Sequence, residues 1–198
     1  MAEFVTSPAR TPALVERIVS DVRPNWRSIA VWGVVAVVWA TWLTGPGWST
    51  PVFVVAAVAG AALGVIDGRD HRLPDAIVYP TLCASAVLLV AGAAVTGAWG
   101  DLARAGLCAA AFGVAFLGLS LVGPWGLGLG DVKLAVLLGM LAGWQGWQAA
   151  LWAGVLPFLL GGIVAAGLLI SRRATRQSML PFGPFMLVGA AVAMTWTR

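Results

Sequence analysis

From residue 76 to 95, and again from 149 to 170, the chain runs without a charged side chain. An α-helix needs roughly 20 mainly apolar residues to cross the hydrocarbon core, and a spanning backbone must satisfy its own polar groups there. Stretches of this kind recur along the chain, so a membrane-embedded helical fold is expected throughout. The composition agrees: 60% of residues are hydrophobic and 10% charged, with a mean hydropathy of +0.92, whereas about a quarter of a soluble domain is charged.

The expected fold class is all-α, a polytopic transmembrane helical bundle of about seven spans. The spans fall at 29–43, 51–66, 76–95, 102–122, 131–143 and 149–170, and a last one closes near Trp196. Residues 29–198 read as a single domain, and residues 1–28 as a cytoplasmic basic tail. Within that tail, 13–22 reads equally as a short amphipathic interfacial helix ended by Pro24 or as a segment without fixed structure. The tail is too long and too charged for a simple signal peptide, so the first span is expected to stay uncleaved.

The net charge of +4 reflects topology; no basic patch is interleaved with aromatic residues as nucleic-acid binding would require. With the N-terminus in the cytoplasm, Arg10, Arg17, Arg23, Arg27, Arg69, Arg72, Lys133, Arg172, Arg173 and Arg176 fall inside, and only Arg104 and Arg198 outside. That asymmetry satisfies the positive-inside rule. Trp42, Trp48, Trp99, Trp144, Trp147 and Trp196 then form an outer interfacial belt. The small-residue pairs Gly60/Gly64 and Gly139/Gly143 allow close approach between helices. Cys83 and Cys108 are isolated, lack metal-ligand spacing and read as small buried hydrophobes. Neither a metal nor a cofactor is expected.

Against this apolar background, Gly126-Leu127-Gly128-Leu129-Gly130-Asp131 delivers a carboxylate into a span through a glycine-rich turn. Asp67 closes the second span. Spans three and four separate the two aspartates, an even number of crossings, so both lie at the same face. Spans five and six return the segment Pro181-Phe182-Gly183-Pro184-Phe185 to that face. Ionisable groups at the edge of a span are costly and are usually functional or paired. Two facing carboxylates in a poorly solvated site share one proton, leaving an acid and a base around a water, which suits peptide hydrolysis. The 181–184 segment reads either as a simple re-entry turn or as a wall packed against this pair.

The motifs Gly128-Leu129-Gly130-Asp131-Val132-Lys133-Leu134, Asp67 with Leu73-Pro74-Asp75 downstream, and Pro181-Phe182-Gly183-Pro184-Phe185 together resemble the prepilin peptidases, or type IV leader peptidases. These are GxGD-type membrane aspartyl proteases. The resemblance covers about residues 50–190. It implies an endopeptidase that removes the basic leader of prepilin or pseudopilin-like substrates at the cytoplasmic face of the inner membrane. It further implies that Asp67 and Asp131 are the catalytic pair and that Gly128 and Gly130 shape the backbone around the second. Many bacterial members also carry a cytoplasmic segment with paired cysteines, associated with zinc and N-methylation. This sequence lacks that segment, so peptidase without methyltransferase activity is expected.

Other residues have plainer readings. His71 reads as an exposed loop residue, Asp70 as a solvated loop charge, Asp75 as the N-cap of the third span and Lys133 as a side chain snorkelling to headgroups. Two rival functions were weighed. A GxGD protease resembling the signal peptide peptidases would carry Tyr-Asp and Pro-Ala-Leu, where this chain has Ile66-Asp67 and Leu180-Pro181-Phe182. A proton-coupled transporter would place its carboxylates nearer the midplane.

Overall fold

The computed structural model describes residues 14–122, 127–171 and 181–198, and each expected span is a helix in it. In chain order these are α1 (Leu14–Val22), α2 (Trp26–Thr44), α3 (Thr50–Asp70), α4 (Asp75–Thr96), α5 (Trp99–Leu121), α6 (Leu129–Gln145), α7 (Trp147–Ile170) and α8 (Gly183–Trp196). Among the described residues there is no strand, so the protein is an all-α polytopic bundle. Residues Arg10, Gly126, Leu180 and the basic loop at 172–176, all used in the sequence reading, lie outside the described residues.

Five helical stretches are long and apolar enough to cross a membrane: Leu14–Thr44, which takes α1 and α2 together, and α3, α4, α5 and α7. Their outward faces remain apolar. Helix α7 buries only Ala149, Ala150, Ala153 and Pro157, while Leu151, Leu159 and Ile163 are exposed. An apolar helix with so little of itself buried inside the protein is solvated by lipid.

Helix α6 is the exception, with 17 residues, and it is buried almost continuously from Leu134 to Gly143. A helix enclosed by its neighbours need not match the bilayer's full thickness on its own, which accounts for its shorter apolar run. Its main partner is α5. A Cβ on Gly139 would lie 2.7 Å from Cγ of Phe112 and 2.9 Å from the Cys108 carbonyl oxygen. One on Gly143 would lie 2.7 Å from Cβ of Cys108 and 3.0 Å from Cα of Ala105. The small-residue pair on α6 therefore brings two backbones together. The pair on α3 works differently, since Gly60 and Gly64 both lie under the Leu187 side chain of α8.

The end of the α5–α6 hairpin away from Asp131 is closed by Arg104. Its Nε donates to the Gly143 carbonyl at 2.6 Å, and one terminal nitrogen donates to the Trp144 carbonyl at 2.7 Å and to Asp101 at 2.9 Å. A guanidinium on the last carbonyls of a helix satisfies orphan acceptors and favours the negative end of the helix dipole. At this same end, Trp42, Trp48, Trp99, Trp147 and Trp196 are exposed, as an interfacial belt requires.

Because Gly143 meets Cβ and Sγ of Cys108 and the backbone Cα of Ala105, Gly143→Ala is expected to cost about 1–3 kcal/mol through overpacking. Thermal unfolding in detergent would read this as a lowered midpoint, whereas Gly106→Ala, whose Cβ would meet nothing within 4 Å, should not lower it.

At the opposite end, the residues described from 14 onward are helical: α1 runs from Leu14 to Val22, a 3-10 turn over Arg23–Asn25 contains Pro24, and α2 follows directly. Ile18 and Val22 pack against the core. Asp21 pairs with Arg72 at 2.9 Å, and Arg69 donates to Asn25 and, at 3.1 Å, to Ser28. The cysteines are free; Cys108 is buried as expected, but Cys83 is exposed on α4.

Candidate active site

Asp67 lies one turn before the end of α3, immediately after the fully buried Ile66, and is itself only 5% exposed. A buried carboxylate requires a partner. It has one in the backbone of the third motif: the Gly183 N–H donates to Asp67 Oδ2 at 3.0 Å. Gly183 is the first residue of α8, so the carboxylate sits at a helix N-terminus, where unsatisfied N–H groups and the helix dipole favour negative charge.

The close approach demands glycine. A Cβ at residue 183 would stand 2.6 Å from Oδ2 of Asp67. On either side the motif is anchored. Phe182 stacks its ring 5.1 Å from that of Phe158 and 6.4 Å from that of Phe116. Pro184 faces Gly68, whose Cβ would lie 3.9 Å from its Cγ. Pro181 precedes this anchor and is half-buried. Of the two readings of 181–184, the wall packed against Asp67 is the one found.

Asp131 is the third residue of α6. Its Oδ2 accepts the Gly128 N–H at 3.0 Å, while its own N–H donates to the Gly128 carbonyl at 3.0 Å. This is the half of a capping box that a glycine N-cap permits. The adjoining glycines differ in role. A Cβ on Gly130 would lie 2.9 Å from Cβ of Leu73, so Gly130 lets α6 press on the linker that leaves Asp67. A Cβ on Gly128 would meet Asp131 Oδ2 at an ordinary 3.7 Å, and the backbone there is extended, at φ −66° and ψ 153°. The space around Gly128 thus accepts a larger residue.

The linker that follows α3 meets the first turn of α6 where Leu73 lies against Gly130, which places both carboxylates at the same end of the bundle, within electrostatic reach of each other. Nearby runs an apolar groove of about 680 Å³ lined by α2, α3, α6 and α8, with Gly68, Arg69 and Pro184 at the end nearest Asp67. Among the described residues no group of three or more His, Cys, Asp or Glu side chains is placed to hold a metal.

Residues 53–171, which include both aspartates, match the type IV leader peptidase family. The chain belongs to that family. Among its relatives, the prepilin leader peptidase/N-methyltransferase of Pseudomonas putida is 34% identical over 141 residues, covering 68% of this chain and 46% of that protein. The protein of the same name from Aeromonas hydrophila is 30% identical over 154 residues, covering 76% and 51%. That from Pseudomonas aeruginosa is 29% identical over 168 residues, covering 80% and 53%. The chain spans about half the length of these curated relatives. No solved structure matches it.

The structure revises three sequence readings near the site. Asp75 does not cap α4: Pro74 holds the N-cap position, and Asp75 is the first helical residue. Lys133 does not run free to the headgroups, because its Nζ lies 2.6 Å from Asp75 Oδ1. Arg69 and Arg72 are bound to the α1–α2 segment as well as charging the inner end. His71 is exposed as expected, and it ends α3 in the left-handed conformation at φ 51°, which histidine tolerates better than most residues.

Proposed function

We propose that this protein is an aspartic endopeptidase that cuts the basic leader from prepilin or pseudopilin-like substrates, with Asp67 and Asp131 as its catalytic pair. The observation that carries the proposal is that Asp67, buried and held by the first N–H of α8, and Asp131 stand at the same end of the bundle, their segments joined by the contact of Leu73 with Gly130. In each carboxylate Oδ2 accepts a backbone N–H. That leaves the other oxygen of each for the chemistry.

One aspartate, ionised, takes a proton from water as the water attacks the scissile carbonyl; the other, protonated, donates to the carbonyl oxygen. The tetrahedral gem-diol then collapses as the aspartate that took the water's proton passes it to the leaving amine and the other aspartate takes one back from a gem-diol hydroxyl, which restores the pair. Because the proton belongs to the pair, neither residue alone is named the acid. Gly128, Gly130 and the Pro181, Phe182, Gly183 and Pro184 segment are site-shaping residues in this reading.

The inner-face excess of basic residues supports an active site facing the cytoplasm across the inner membrane. The apolar part of a membrane-anchored substrate would enter sideways from the lipid along the α2–α3–α8 groove, whose inner end adjoins Asp67. We assign these 198 residues the peptidase activity without methyl transfer. Cys83 and Cys108 lie on different helices, one exposed and one buried, and form no paired-thiol site.

The test is reconstitution in liposomes with a substrate carrying a basic leader before an apolar helix, in the presence of S-adenosylmethionine. Cleavage at the leader junction, with an unmethylated new N-terminus by mass spectrometry, is the expected result. Intact substrate together with proton flux across the vesicle would overturn the assignment in favour of a transporter. A methylated product would remove the single-activity assignment alone.

A further inference from the structure

Two residues that the catalytic pair does not use hold the ends of two helices together beside it. Lys133 Nζ lies 2.6 Å from Asp75 Oδ1 and 4.8 Å from the centroid of the Tyr79 ring. We propose that the Lys133–Asp75 ion pair is a positioning device that sets where Asp131 stands relative to Asp67; this rests on the aspartic-pair reading above.

Helical geometry carries the first step. Gly130 and Lys133 are three residues apart on α6, so they share a face, while Asp131 and Lys133 are two apart and point away from one another. The shared face is the one turned to the start of α4. Gly130 meets Leu73 there, and Lys133 meets Asp75 and Tyr79. The first turn of α6 is therefore fixed at two points along one short segment, and Asp131 is presented on another side.

That segment is also the continuation of the Asp67 helix. Asp67 lies in the last turn of α3; residues 71–74 follow, and Asp75 begins α4. Pinning Leu73 and Asp75 to α6 thus locates Asp131 with respect to the chain that carries Asp67. The two contacts divide the task. Gly130 against Leu73 sets how closely the helices approach. The ammonium, with one carboxylate and one ring face to meet, fixes the rotation of α6 about its own axis.

The pair contributes little to keeping the bundle folded. Its side chains are 25% and 59% exposed, and ion pairs in reach of water add little to stability. Helix α6 is held in the bundle independently by its glycine contacts with α5. Loss of the pair should hence displace Asp131 without unfolding the protein, and misplacing a reacting group by about an ångström can cost a hundredfold in rate.

The experiment compares Lys133→Met, Asp75→Asn, Lys133→Arg and the exchanged double variant Lys133→Asp with Asp75→Lys, measuring kcat, KM and the thermal unfolding midpoint of each. Both single neutralisations are expected to lower kcat roughly ten- to a hundredfold, with KM and the midpoint near wild type. Lys133→Arg and the exchanged pair should recover most of kcat. Wild-type kcat in both neutralised variants would overturn the proposal. So would a rise confined to KM, a loss that tracks the unfolding midpoint, or an exchanged pair no better than the singles. Asp67→Asn and Asp131→Asn in the same assay keep the two readings separate, since their retention of activity would remove the catalytic pair whatever the ion pair does.

Discussion

Asp67→Asn and Asp131→Asn are each expected to abolish leader cleavage, by roughly a thousandfold or more, while the protein still inserts and unfolds at its normal temperature. Asparagine has nearly the shape of aspartate, and its carbonyl oxygen can accept the N–H that Gly183 gives to residue 67 or Gly128 gives to residue 131. The seam between α3 and α8 and the cap of α6 therefore survive. What disappears is a group able to exchange a proton with water and substrate. Because the pair works as a unit, the double variant should be no slower than either single one, the non-additivity expected of residues that share one catalytic task. Asp70→Asn is the control: Asp70 is the exposed last residue of α3 and should keep wild-type turnover. Full cleavage by either Asp67→Asn or Asp131→Asn would remove the pair from the mechanism.

The helices and the placement of two aspartates at one end of the bundle could be read from the chain because both depend on properties that sequence carries directly. Hydropathy reports whether a segment prefers lipid, and counting crossings fixes which ends share a face. The start of α6 at Leu129 and of α8 at Gly183 follows from the same punctuation of Gly and Pro that marked the motifs. Partners of charged residues were not accessible in this way. Lys133 and Asp75 are 58 positions apart, and Arg104 reaches carbonyls 39 and 40 positions away. Such pairings are set by how helices rotate against each other, which an apolar surface facing lipid constrains only weakly. Hence Lys133 read as a topology charge and Asp75 as a helix cap, although each is the other's partner. Gly128 and Gly130 were likewise indistinguishable in the motif, and only the position of Leu73 separates a glycine that is required from one that space does not demand.

The same distinction gives the other large effect. Gly183→Ala is expected to reduce cleavage roughly a hundredfold or more, because the new methyl group would stand 2.6 Å from Oδ2 and 3.1 Å from Cγ of Asp67. Either the carboxylate must rotate away from the α8 N-terminus or α8 must withdraw, and both break the 3.0 Å hydrogen bond that orients it. Helix propensity works against any simple structural explanation, since alanine favours helix over glycine by about 1 kcal/mol. Overpacking should nevertheless lower the unfolding midpoint by the equivalent of about 1–3 kcal/mol, an amount that leaves a folded protein whose turnover can be measured. Gly68→Ala and Gly128→Ala are the matched comparisons, the first next to Asp67 and the second three residues before Asp131. Their added methyl groups would meet the nearest atoms at 3.9 Å and 3.7 Å, ordinary contact distances, so both should cleave within severalfold of wild type. Should Gly183→Ala instead turn over like these two, the α8 N-terminus does not orient Asp67, and the third motif would be reduced to a turn that returns the chain to the membrane.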